Sequence, residues 1–143
     1  MTRTGAYKAP PNTQQLRRAL RVLIVDDDRD TVLTLSALLR SEGHETKGVG
    51  TAAELWRIVD EFDPDVVLLD IGLPDRSGYD VARKLRERFG APRPKLIAVT
   101  GWNKGSDKIL AEIAGFDHHV GKPYDPNLLL ALVAGGPPAG DAN

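Results

Sequence analysis

Five residues far apart in the chain share one local setting. Asp26 and Asp27 follow the apolar run Val22-Leu23-Ile24-Val25, and Asp70 ends the run Val66-Val67-Leu68-Leu69. Thr100 closes the run that begins at Lys95, and Lys122 follows the short run through Val120. Runs of this kind, short and rich in β-branched residues, read as strands covered on both faces. Where such strands lie parallel in one sheet, their carboxyl ends share an edge, and ligands bind in the crevice there. The sequence therefore predicts that Asp26, Asp27, Asp70, Thr100 and Lys122 converge.

The chemistry follows from the charges. Carboxylates gathered at one edge repel each other and attract a cation. An all-oxygen donor set without His or Cys suits Mg²⁺ or Mn²⁺ rather than zinc. Mg²⁺ commonly takes one or two protein carboxylates and keeps its other positions for water or phosphate. Asp70 can then place one oxygen on the metal and use the other as a nucleophile, in the manner of aspartyl-phosphate chemistry. Lys122 supplies a positive charge to one phosphoryl oxygen, and the Thr100 hydroxyl can donate to another. Neutralising the moving group in this way is the main catalytic effect in phosphoryl transfer. No general base is required, because a carboxylate is already deprotonated at pH 7.

The elements that must position these residues alternate along the chain. Val32, Leu35, Leu38 and Leu39 recur at helical spacing after the first strand and stop at Glu42-Gly43, where Gly is a natural terminator. His44 to Val49 is a weaker strand. Thr51 and Glu54 form a capping box for a helix that buries Leu55, Ile58, Val59 and Phe62. Ile71 to Gly78 reads as loop, and Val81, Ala82, Leu85 and Phe89 as the next helical stripe. Ile109, Leu110, Ile113 and Ala114 predict a helix face ending at Gly115. Asp125-Pro126 caps a last helix carrying Leu128, Leu129, Leu132 and Val133. Strict alternation of five strands and five helices predicts an α/β, doubly wound parallel sheet with helices on both faces.

Length and composition narrow the function. A chain of 143 residues suits one domain. With 19 Lys+Arg against 20 Asp+Glu and no cysteine, neither nucleic-acid binding nor thiol or disulfide chemistry is expected. No apolar run approaches the roughly 18 residues of a membrane span, and the N-terminus lacks the apolar core of a secretion signal. The expectation is a cytoplasmic protein with no membrane partner. Residues 1–19 form a basic arm (Arg3, Lys8, Arg17, Arg18) without periodicity, expected to be flexible, as are 135–143; residues 20–134 make the ordered domain.

The stretches RVLIVDDD, DVVLLDIGLPDRSGYDVARKLR, KLIAVTG and AGFDHHVGKP resemble the receiver domain of two-component response regulators. The likeness spans about Arg21 to Ala134, and VTGW with AGFDHHVGKP is most similar to receivers fused to hybrid sensor histidine kinases. It implies a flavodoxin-like sheet in the order 2-1-3-4-5. It also implies that Asp70 is the phosphoacceptor, with Thr100 the switch hydroxyl and Lys122-Pro123 the family's Lys-Pro pair. On this likeness Asp27, Asp70 and the backbone carbonyl of Gly72 bind Mg²⁺ directly and Asp26 acts through water. The implied role is a single-domain response regulator that takes a phosphoryl group from a sensor histidine kinase or histidine phosphotransfer protein. Its output would be protein contact rather than DNA binding or turnover as an enzyme.

Some positions depart from the family pattern. His119 stands three before Lys122, where an aromatic switch residue is usual; it either rotates as a pH-sensitive switch or is a partly exposed strand residue. Zinc binding by His118 and His119 is not expected, because strand neighbours point to opposite faces. Asp28 reads as a helix N-cap rather than a third ligand. Gly72 and Trp102 lie two residues beyond Asp70 and Thr100, positions that in the family border the water attacking the phosphoryl group. Trp102 either shields that group or simply packs on its loop. The uncharged last helix, with Leu130 and Ala131 outside its buried stripe, suggests a homodimer or another protein target. Two rival readings are a haloacid-dehalogenase-like phosphatase and a pseudo-receiver scaffold. The first is disfavoured because its nucleophile ends the first strand in an Asp-x-Asp pattern.

Overall fold

The computed structural model describes residues 19–101 and 108–135. In chain order its elements are β1 (Arg21–Val25), α1 (Arg29–Ser41), β2 (Glu45–Val49), α2 (Ala52–Phe62) and β3 (Val66–Leu69). Then come α3 (Gly78–Phe89), β4 (Lys95–Gly101), α4 (Lys108–Ala114), β5 (His118–Lys122) and α5 (Pro126–Val133). All neighbouring strands pair in parallel, in the order β2-β1-β3-β4-β5. The order reverses direction at β1, and that reversal opens a crevice between the loops after β1 and β3.

Alternation along each strand splits the core in two. Leu23, Val25, Val67, Leu69, Leu96 and Ala98 face α2, α3 and α4, where they meet Leu55, Val59, Val81, Leu85 and Ala111. Val22, Ile24, Val66, Leu68, Ile97 and Val99 face α1 and α5, where they meet Leu35, Leu39, Leu129 and Leu132. Each fully buried aliphatic side chain contributes about 1.5–3 kcal/mol over leaving it in water. The continuous apolar runs in β1 and β3 therefore report strands sandwiched between two helical layers.

Helix ends follow the sequence signals. Asp28, Thr51, Ser77 and Asp125 cap α1, α2, α3 and α5 through their side-chain oxygens. Asp28 is thus an N-cap, accepting from Asp30 N–H and the Thr31 hydroxyl, each at 3.0 Å. Three helical faces differ from expectation. On α3, Val81, Ala82 and Leu85 are buried, but Phe89 at the end of the stripe is exposed. On α4 the buried residues are Ala111 and Ala114, while Ile109, Leu110 and Ile113 are exposed. On α5, Ala131 is exposed as expected, but Leu130 packs partly against the core and Leu128, expected inside, is exposed. In α4 the small alanines let the helix approach the sheet, and the larger residues are turned outward. Apolar periodicity alone does not distinguish the inward stripe from an equally apolar neighbouring one.

Candidate functional site

The strand ends bring the predicted residues together by backbone bonding. Asp26 N–H donates to Val49 O at 3.0 Å and Asp70 N–H to Val25 O at 2.9 Å. Both residues thereby extend the ladder one step past β1 and β3. Side-chain oxygens of Asp26, Asp27 and Asp70 lie within 4.8 Å of one another. Asp26 and Asp70 are buried and Asp27 is exposed. Thr100 sits in β4 opposite Gly121, and Lys122 ends β5 opposite Gly101.

Both Asp26 oxygens and one Asp70 oxygen are oriented. Lys122 Nζ lies 2.8 Å from Asp26 Oδ2, and Asp28 N–H donates to Asp26 Oδ1 at 2.9 Å. Gly72 N–H donates to Asp70 Oδ1 at 3.0 Å. Among the described residues no group donates to the other Asp70 oxygen. Thr100 is fully buried, and its hydroxyl has no hydrogen-bond partner among the described residues. Buried hydroxyls are seldom left unpaired, so this one is a donor and acceptor held ready at the edge of the site.

Charge is unbalanced here. Burial pushes the Asp26 carboxyl above its ordinary value, the Lys122 bond and the Asp28 N–H oppose this, and the nearby Asp70 charge adds to it. For Lys122 burial acts downward, but the bond to Asp26 and the charges of Asp26, Asp70 and Asp28 outweigh it and raise the ammonium's pKa. The two shifts agree physically. One cation among several carboxylates holds its proton, while the carboxylates still lack positive charge. An all-oxygen cluster of this span, with Asp26 and Asp70 buried and short of countercharge, fits a hard divalent cation such as Mg²⁺.

Beside the cluster lies a cavity of about 490 Å³, walled by Asp26, Asp27, Arg29, Val32, Gly50 and Pro74 among others. Two contributors were missed in the sequence. Gly78, the first residue of α3, leaves no room for a side chain: a Cβ there would come within 2.5 Å of Ile71 Cα and 2.6 Å of Asp70 O. The start of α3 is therefore pressed against the backbone that carries Asp70. Asp75, inside the segment read simply as loop, reaches across to the N-terminus of α2 and accepts from Ala52 and Ala53 N–H at 2.9 and 3.1 Å. An Asp in a Gly- and Pro-rich loop carries no sign of a partner 23 residues away.

The remaining positions separate. His119 pairs with Ala98 in register and so shares the α2–α4 face, while His118 pairs with Ile97 and shares the opposite one. The two imidazoles do not converge, in keeping with the expectation against zinc. His119 is half-buried. Trp102 lies outside the described residues, as do residues 1–18 and 136–143 of the two tails.

The family model of the response regulator receiver domain matches residues 22–134. The chain is 38% identical over 113 residues to the DNA-binding response regulator MtrA of Mycolicibacterium smegmatis, covering 79% of this chain and 48% of that protein. It is 35% identical over 108 residues to the aerobic respiration control protein ArcA of Escherichia coli, covering 76% of this chain and 44% of that protein. The chain thus spans about half the length of the curated relatives it matches. Among solved structures, a CheY-like response regulator receiver domain protein from Methanospirillum hungatei superposes with a TM-score of 0.72 at 31% identity, covering 81% of this chain and 91% of that one. The sheet order, the acidic cluster at its carboxyl edge and the match over residues 22–134 agree: the chain belongs to the response regulator receiver domain family.

Proposed function

We propose that Asp70 accepts a phosphoryl group from a phosphohistidine donor, and that the resulting change is read by a protein partner. The observation that carries this reading is the cluster itself: carboxylate oxygens of Asp26, Asp27 and Asp70 within 4.8 Å, with Lys122 beside them. The bond from phosphorus to the donor's imidazole nitrogen breaks as an Asp70 oxygen bonds to phosphorus, and the nitrogen keeps the electron pair. Gly72 N–H fixes one Asp70 oxygen, which leaves the other to attack. Lys122 faces the transferred group's charge, and the Thr100 hydroxyl, without a partner among the described residues, has a phosphoryl oxygen to donate to. Asp26, Asp27 and Asp70, with the Gly72 carbonyl, would hold Mg²⁺, which spreads charge on the phosphoryl oxygens when bound.

The readout is placed on the last helices. Ile109, Leu110 and Ile113 on α4 and Leu128 on α5 are exposed apolar residues, suited to a protein contact. DNA binding is named for MtrA, of whose length the chain covers 48%; the function proposed here requires only the receiver. No helix among the described residues is long and apolar enough to cross a membrane.

The test is uptake of label from radioactive acetyl phosphate with Mg²⁺ present. Wild type should reach about one phosphoryl group per chain, and Asp70→Asn should fall to background. Label on Asp70→Asn at the wild-type level overturns the assignment. Steady release of phosphate from a monoester substrate would point to a phosphatase instead.

A further inference from the structure

The N-terminus of α2 is held differently from those of α1, α3 and α5. Those three are capped by the residue just before the helix, and the described side-chain oxygens that accept from their first-turn N–H groups belong to that residue. In α2, the Thr51 side chain takes Glu54 N–H, at 3.1 Å. The two preceding donors, Ala52 and Ala53 N–H, go to opposite oxygens of Asp75 in the loop after β3. Free N–H groups at a helix start are ordinarily satisfied by water or a local side chain. A two-oxygen grip by a carboxylate from another loop joins two segments that the chain leaves independent. Glu54 adds to it by accepting from Gly50 N–H at 2.7 Å, which steadies the approach to the same turn.

What is joined matters. The β3–α3 loop carries Asp70 at its start and Gly72 two residues on. Its base is already fastened: Gly78 N–H donates to Ile71 O at 2.8 Å, Gly72 bridges to Ser77, and Ile71 and Leu73 are buried. Its outer part, Pro74 to Ser77, is exposed and has Asp75 as its link to the rest of the fold. Gly50 and Thr51 on one side and Pro74 on the other wall the cavity beside the acidic cluster. The Asp75 bonds therefore close the rim of that cavity and fix the spacing of its two loops.

We infer that Asp75 is a positioning residue for cation binding: its grip on the start of α2 holds the loop that bears Asp70 and Gly72 in the geometry the metal needs. This rests on the reading of Asp26, Asp27, Asp70 and the Gly72 carbonyl as the Mg²⁺ site. Asp75 does not itself touch the ion. Groups that orient ligands in this way typically change metal affinity by about 10- to 100-fold when removed. Asp75 is one step further out, so the expected loss is about tenfold.

The experiment measures Mg²⁺ binding by titration calorimetry on the full chain, with thermal melting alongside. Asp75→Ala should weaken binding about tenfold while uptake of label from acetyl phosphate at saturating Mg²⁺ returns close to the wild-type rate. Asp75→Asn keeps one acceptor oxygen and should fall between the two. Val59→Ala destabilises the same helix from its buried face without touching the loop, and should leave Mg²⁺ affinity within about twofold. Wild-type affinity in Asp75→Ala overturns the inference, and so does an equal loss in Val59→Ala, which would make the effect general destabilisation. Asp70→Asn is the separate control. If it binds Mg²⁺ and takes up label as wild type does, the site assignment fails rather than the role of Asp75.

Discussion

The two ends of one sheet handle charge in opposite ways. At the amino end of the strands Arg93, Arg86 and Lys95 each have partners of matching geometry. Arg93 bonds Asp65 and Asp63, each at 3.0 Å, and Asp65 also accepts from Arg21 N–H at 2.8 Å. Arg86 donates to Asp117 at 2.6 Å and to the carbonyls of Gly115, Gly90 and Pro94, while Lys95 donates to Leu132 O at 2.8 Å. At the carboxyl end Lys122 faces both Asp26 and Asp70, and the buried Thr100 hydroxyl has no partner among the described residues. The backbone architecture is the same at both ends. One end is finished as structure, and the other keeps unmet charge and, among the described residues, an unused hydrogen bond, which is what the proposed binding of a cation and a phosphoryl group requires.

The comparison breaks most visibly at Arg86. Its side chain is 16% exposed and fastens α3 to the loops before β4 and β5. Arg86→Ala removes four bonds and leaves the partly buried carbonyls of Gly115 and Pro94 without this donor, so unfolding free energy should fall by about 3 kcal/mol, read from urea midpoints. Phosphoryl uptake should survive at temperatures where the variant is folded. A loss below 1 kcal/mol would mean that water replaces the guanidinium freely.

At the other end the sign reverses. Asp70→Asn removes a carboxylate from a cluster short of positive charge and keeps the Lys122–Asp26 bond. In metal-free buffer it should therefore raise stability by about 1 kcal/mol, or about 4 °C in melting temperature. Mg²⁺ at ten times its dissociation constant should stabilise wild type by about 1.4 kcal/mol and leave Asp70→Asn almost unmoved. If the variant is less stable without metal, the cluster is not repulsive and the comparison fails. Asp63→Ala, at the paired end, should keep the full Mg²⁺ response and lose only a little stability, because its contact with Arg93 is largely in solvent.

Much of this was legible in the residues. Asp26, Asp70, Thr100 and Lys122 each stand at the end of a strand run, so the sheet's own geometry converts sequence position into spatial convergence. Asp28 and Asp125 declared themselves as caps because capping depends on neighbours a few residues away. The inward face of α4 did not declare itself, since Ile109, Leu110 and Ile113 mark an apolar stripe as clearly as Ala111 and Ala114 do. Asp75 and Gly78 were hidden for a related reason. Their roles depend on which segment lies across from them, and nothing local encodes a contact between the loop after β3 and the start of α2.

His44 gives the smallest and most discriminating test of the paired end. It precedes β2, is buried, and its Nδ1 accepts from Leu20 N–H at 3.0 Å, where the chain enters β1. That bond needs a neutral nitrogen. Burial lowers the imidazole's pKa below its ordinary 6.5, and the charge of Glu42 only partly opposes this. Well above pH 6.5 the ring is neutral whether folded or unfolded, and the bond contributes in full. As pH falls through 6.5 the unfolded chain takes up a proton that the folded chain refuses. Stability therefore declines until the folded ring also titrates. The urea midpoint should drop between pH 7 and pH 5, and His44→Gln, which cannot titrate, should flatten that slope. Equal slopes in the two proteins would show that the loss comes from carboxylates, and would place the pH sensitivity at the crowded acidic end instead.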